Sequence, residues 1–109
     1  MEITIALGSN TKQERHIEEA FERLKAVFPD ITFTQLQWTE PVGIVSDKYL
    51  NCIAHFTTSL SLEQLVQQLK NIETAMGDTH DNHKQGIVLI DLDVIKYGDK
   101  EVKKIAWKL

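Results

Sequence analysis

IDLDVIKYG, residues 90 to 98, alternates large apolar side chains with carboxylates. Successive side chains of an extended chain point to opposite faces, so Ile90, Leu92 and Val94 share one side and Asp91 and Asp93 the other. A strand with one apolar and one wet face belongs to an antiparallel sheet covered on a single side, and that reading decides the fold class. Residues 87 to 96 are expected to form this strand, closed by a turn at Tyr97-Gly98-Asp99-Lys100. Its two carboxylates would stand roughly 6–7 Å apart, where like charges repel unless they are solvated, protonated or bridged by a cation. A hard divalent cation such as Mg²⁺, which takes oxygen ligands, is the natural bridge. On spacing alone, a solvated acidic face is the alternative.

Outward from this strand the same two periodicities repeat. Ile3, Ile5 and Leu7 alternate with Thr4 and Ala6, and Gly8-Ser9-Asn10 ends that strand with turn formers. Thr11 and Glu14 have the spacing of a capping box, and Ile17, Ala20, Phe21, Leu24, Val27 and Phe28 recur at helical spacing until Pro29. A helix over 12–28 is expected. ITFTQLQW, residues 31 to 38, is β-branched and aromatic and reads as a strand, followed by a loop opened by Pro41 and Gly43. Residues 49 to 58 alternate again, with Leu50, Cys52, Ala54 and Phe56 on one face and Tyr49, Asn51, Ile53 and His55 on the other.

Ser61 and Gln64 form a second capping-box pattern, and Leu62, Leu65, Val66, Leu69, Ile72 and Met76 make an apolar stripe that stops at Gly77. That predicts a helix over 61–76. DTHDNHKQG, residues 78 to 86, has no large apolar side chain and is expected to be an exposed, mobile loop. Residues 101 to 107 alternate as an edge strand guarded by lysines. The element order is then βαββαββ: a ferredoxin-like α+β fold of type βαββαβ with an added C-terminal edge strand, its two helices on one face of an antiparallel sheet.

The chain has 109 residues, the size of one domain, with 42% hydrophobic and 26% charged residues. No apolar run approaches the roughly 18 residues of a membrane span, and MEITIALGSN has neither the basic start nor the long apolar core of a signal peptide, so a cytoplasmic protein with no membrane partner is expected. A net charge of −4 argues against a nucleic-acid surface. Cys52 is the single cysteine, which excludes an intrachain disulfide and leaves a buried, silent thiol as the expectation. His16 and His55 read as surface and sheet-face residues.

ALGSN (6–10), TEPVG (39–43), YLN (49–51), IETAMG (72–77) and IDLD (90–93) occur in this order and at this spacing. Together they resemble 6-hydroxymethyl-7,8-dihydropterin pyrophosphokinase, the folate-pathway kinase that moves the β,γ-diphosphate of ATP onto the hydroxymethyl group of a pterin. The resemblance spans the chain and implies a single pterin-pyrophosphokinase-like domain over 1–109. It makes Asp91 and Asp93 catalytic Mg²⁺ ligands. It places Thr39, Val42 and Asn51 against the pterin, with Tyr49 stacked on the ring, and puts Glu73 beside the nucleotide. Tyr49 and Asn51 project from one strand face, as a shared pocket requires.

The family carries several arginines, a lysine and often a Trp between MG and DLD, where they close over ATP. Here residues 77 to 91 read GDTHDNHKQGIVLID, with Asp78, His80, Asp81, Gln85 and Val88 at positions expected to be basic or aromatic. Lys84 is then the cation left for nucleotide binding and catalysis. Phosphoryl transfer depends on electrostatic stabilisation by Arg, Lys and Mg²⁺, so weak ATP binding and weak or lost activity are expected, and arginine at 78 and 80 is expected to raise ATP affinity. The family's Pro-His segment and second pterin-facing aromatic have no counterpart in these 109 residues. Asp78, His80, Asp81 and His83 could alternatively hold Zn²⁺ or another transition metal. The readings to be separated are a minimal pterin pyrophosphokinase, a non-catalytic pterin- or metal-binding regulatory module, and a homodimer paired through its last strand.

Overall fold

The computed structural model describes residues 1–41 and 46–105, with only the backbone of His80. Among the described residues, nine elements follow one another: β1 (Glu2–Ser9), α1 (Gln13–Val27), β2 (Thr32–Phe33), β3 (Gln37–Thr39), β4 (Tyr49–Thr57), α2 (Leu62–Ala75), α3 (His80–Lys84), β5 (Asp91–Tyr97) and β6 (Lys100–Glu101). All strand pairs are antiparallel, in the order β2-β4-β1-β5-β6, with β3 taking the next stretch of the β4 edge beyond β2. This is the expected ferredoxin-like arrangement.

One apolar face of the sheet meets both helices. Ile3, Ile5 and Leu7 of β1, Leu50, Cys52, Ala54 and Phe56 of β4, and Leu92 and Val94 of β5 join Ile17, Ala20 and Leu24 of α1 and Leu65, Leu69 and Ile72 of α2 in a single buried cluster. Each helix has one apolar stripe, and a shared sheet face is what buries both. At α2 the capping box forms as its sequence predicts: Ser61 Oγ accepts from Gln64 N, and Gln64 Oε1 accepts from Ser61 N. Cys52 is fully buried, and burial pushes its thiol up to about 12, where no thiolate forms at neutral pH.

Several local expectations are corrected. The strand expected over 31–38 is two short pieces, because Thr34 Oγ1 accepts from Ile53 N while Thr34 N donates to Ile53 O. A side chain thus takes one rung of the ladder and interrupts the pairing. The box expected at Thr11 and Glu14 is absent: Lys12, at φ 42°, precedes the helix with no side-chain cap, and Thr11 contributes its carbonyl to Ser9 Oγ and His16 Nδ1 instead. Residues 78–86 contain the short helix α3, capped by Thr79 Oγ1 on Asn82 N and tied by Asp78, whose carboxylate meets His83 Nε2 and accepts from Leu89 N.

The strand expected from residue 87 begins at Asp91. Residues 86–88 are claimed by Asn10: its Nδ2 donates to Gly86 O, its Oδ1 accepts from Val88 N, and its N–H donates to Val88 O. The register of β5 on β1 steps between Ile5↔Val94 and Thr4↔Lys96, leaving Ile95 as a bulge. The bulge reverses the alternation, so Tyr97 joins the core side and its hydroxyl donates to Leu60 O. The edge strand expected over 101–107 is reduced to Lys100–Glu101, because the N–H groups of Val102 and Lys103 converge on the Ile95 carbonyl rather than continuing the ladder. Residues 106 and 107 lie outside the described residues.

Candidate active site

The face of the sheet away from the helices gathers most of the candidate site residues. Gly8 pairs with Asn51 on one side and with Asp91 on the other, and Ala6 pairs with Asp93. Small residues on the central strand leave a hollow there: an ideal Cβ on Gly8 would lie 2.9 Å from Asn51 Oδ1 and 3.5 Å from Tyr49 Cδ2. Around it opens a cavity of about 210 Å³ lined by Ala6, Gly8, Thr39, Glu40, Tyr49, Asn51, Asp91, Asp93 and Ile95, with Lys103, Lys104 and Ile105 from the segment after β6. This is below the roughly 300–1,000 Å³ of drug-sized ligand pockets and suits a small ring.

Ser9, Asn10 and Asn51 are the buried polar residues among those described. Two come from ALGSN and one from YLN, and burial of such groups requires that they be bonded. Asn51 Nδ2 donates to Thr39 Oγ1 at 2.5 Å, which fixes the amide orientation over β1. Asn10 braces the segment leading into β5, and the Tyr49 phenol is pushed up by burial and then by the charge of Asp91.

Asp91 and Asp93 lie within hydrogen-bond reach of each other, and burial first, then Asp93, pushes Asp91 up to about 7. Asp93 Oδ2 meets Lys103 Nζ at 3.0 Å, whereas Asp91 makes no ion pair with another described residue. Glu73 reaches across from α2 to accept from Leu92 N at 2.8 Å; burial raises its pKa, partly offset by that bond. Among the residues that sequence reading selects, Thr39, Tyr49, Asn51, Asp91 and Asp93 therefore converge on one cavity, with Glu73 behind the acidic strand. Val42 lies outside the described residues. Lys84 is exposed on α3 and does not line the cavity. Asp78 has both carboxylate oxygens engaged, so an arginine there would remove two local bonds as it adds a charge.

The match to a family model is equally broad. It covers residues 4–108, and the family is described as 7,8-dihydro-6-hydroxymethylpterin-pyrophosphokinase (HPPK). The chain belongs to the HPPK family. Two curated relatives are each called "Folate synthesis bifunctional protein". One, from Arabidopsis thaliana, is 32% identical over 104 residues, covering 93% of this chain and 22% of the relative. The other, from Chlamydia muridarum, is 30% identical over 106 residues, covering 90% of this chain and 23% of the relative. The chain thus spans less than a quarter of the length of these relatives.

HPPK enzymes use ATP and Mg²⁺, and the acidic pair fits a hard divalent cation: both donors are carboxylates on one strand face, and Asp91 makes no ion pair among the described residues. No group of three or more His, Cys, Asp and Glu side chains poised to hold a metal occurs among the described residues, the 78–83 segment included so far as it is described. A pair alone suits Mg²⁺, which is commonly held by one or two carboxylates together with substrate phosphates. Sequence reading passed over Lys103, Lys104 and Glu40 as members of this HPPK cavity. Glu40 sits inside TEPVG, directly after β3, whereas the signal of Lys103 and Lys104 lies in the tertiary path after β6 and not in any motif.

The unfolded chain gives up the Asp91 proton near the ordinary carboxylate pKa of about 4, while the folded protein holds it to about 7. Over that range the native state binds more protons, so this group makes stability fall as pH rises from about 4 to 7. Asp91→Asn is expected to remove the loss. In EDTA its thermal midpoint should exceed that of the unsubstituted protein at pH 8, with the gap closing towards pH 4. A gap of equal size at both values contradicts this assignment.

Proposed function

We propose that this chain binds 6-hydroxymethyl-7,8-dihydropterin in the open-face cavity and transfers the diphosphate of ATP to it slowly, as a step of folate synthesis. The observation that carries the reading is the convergence of Thr39, Tyr49 and Asn51 with Asp91 and Asp93 on one small cavity. The Asn51 amide can donate and accept along the edge of a pterin ring, Thr39 holds that amide in place, and the Tyr49 ring offers a face for stacking. Gln37, opposite Asn51 on β3, has a buried side-chain oxygen without a partner among the described residues, but it does not line the cavity.

Asp91 and Asp93 would hold the cation at the strand end of the same cavity. A bound Mg²⁺ would neutralise phosphate oxygens of ATP and align them with the pterin hydroxymethyl group. The chain itself orients the pterin and places carboxylates beside it. Its lining charges are Glu40, Asp91 and Asp93 against Lys103 and Lys104, which leaves no surplus of positive charge for a triphosphate. This supports a slow enzyme over a fast one.

The test is pterin binding followed by fluorescence. Asn51→Leu keeps the approximate side-chain volume but removes the bonding edge, and a site built to hydrogen-bond its ligand is expected to lose at least about tenfold in affinity. Equal affinity in both proteins would put the pterin elsewhere.

A further inference from the structure

The segment after β6 returns over the acidic pair and brings Lys103 into direct contact with it. The Lys103 ammonium lies 3.0 Å from Asp93 Oδ2, with the lysine side chain 56% and the aspartate 30% exposed. The root of this side chain is held, since the N–H groups of Val102 and Lys103 bond the Ile95 carbonyl at 2.8 and 3.3 Å. Its head sits in solvent at the mouth of the cavity. We infer that Lys103 is a tethered counter-cation of the site: it occupies Asp93 when no ligand is bound, yields that oxygen to a divalent cation, and then meets the phosphate chain of the nucleotide. The inference rests on the proposed nucleotide site but not on its pterin specificity.

Three physical points support it. An ion pair this exposed is weak, so it exchanges readily. An ammonium and a divalent cation repel each other across one carboxylate oxygen, so a cation that takes Asp93 Oδ2 displaces Lys103. A compact ammonium on a flexible four-carbon stem can swing from a carboxylate to a nearby phosphate, where it gains charge-assisted hydrogen bonds. Lys84, the cation of the 77–91 segment, is exposed on α3 outside the cavity, which leaves Lys103 and Lys104 as the lining cations.

Removing the Lys103 charge should therefore shift two affinities in opposite directions. Lys103→Met, with Lys103→Gln as a second variant, is expected to bind Mn²⁺ at least about fivefold more tightly without nucleotide, read from the electron paramagnetic resonance of free Mn²⁺. The same variants should bind a non-hydrolysable ATP analogue with Mg²⁺ at least about fivefold more weakly by calorimetry. Lys103→Arg, which keeps the charge, should restore nucleotide binding. A lysine with a merely structural role would leave both affinities unchanged or weaken both, and either result overturns the inference, as does the absence of Mn²⁺ binding in every form. A protein that shows the opposed shifts but binds no pterin would remove the proposed function and leave the assignment of Lys103 standing.

Discussion

Replacing Asp91 and Asp93 together by alanine is expected to abolish divalent-cation binding at the cavity and to cut pterin-dependent AMP release by at least about 10²–10³-fold. Loss of one strong electrostatic stabiliser alone has that effect on kcat, and the double substitution removes both carboxylates. The two side chains share the open face of β5, and Asp91 is half-buried against its neighbour's charge. Their removal relieves repulsion, so the thermal midpoint in EDTA at pH 8 should hold steady or rise. Activity loss without stability loss separates a functional pair from a structural one. An unchanged Mn²⁺ titration would move the metal away from β5.

The second large effect is in the unsubstituted protein. Turnover is expected at least about a hundredfold below that of an HPPK enzyme whose segment between MG and DLD keeps its arginines. The segment from Gly77 to Asp91 offers Lys84, outside the cavity, against Asp78 and Asp81, and Asp78 is tied up with His83 and Leu89 N. The charge facing a triphosphate must then come from Lys103, Lys104 and bound cation. Steady-state AMP formation by the two proteins under one Mg²⁺ and ATP concentration measures the difference. Comparable rates would mean that those two lysines and the cation suffice.

Burial made most of the fold legible. β1, β4 and the Asp91–Val94 stretch of β5 bury alternate residues against two helices, and that imposes a period of two on the sequence, as the helices' stripes impose 3.6. The acidic pair was legible for the same reason, since alternation puts Asp91 and Asp93 on the face opposite Leu92. What alternation cannot carry is an event that breaks it. Thr34 replaces a backbone rung with its hydroxyl, and Ile95 adds a residue to β5 that sends Tyr97 to the core; neither changes composition. Asn10 looked like a turn former and proves to be the clamp on residues 86–88, a partnership 76 to 78 positions distant in sequence. By alternation alone Lys103 is a guard on an edge strand. Its place at the acidic pair depends on the β5 bulge, which ends the ladder and turns the chain across the cavity.

The measurement closest to the central claim is AMP release from ATP with and without 6-hydroxymethyl-7,8-dihydropterin, in the unsubstituted protein and in the Asp91→Ala, Asp93→Ala variant. A slow release that requires the pterin and vanishes in the variant is the predicted result. Release that ignores the pterin, or that survives loss of both aspartates, would contradict a pyrophosphokinase site built from the open face of this sheet.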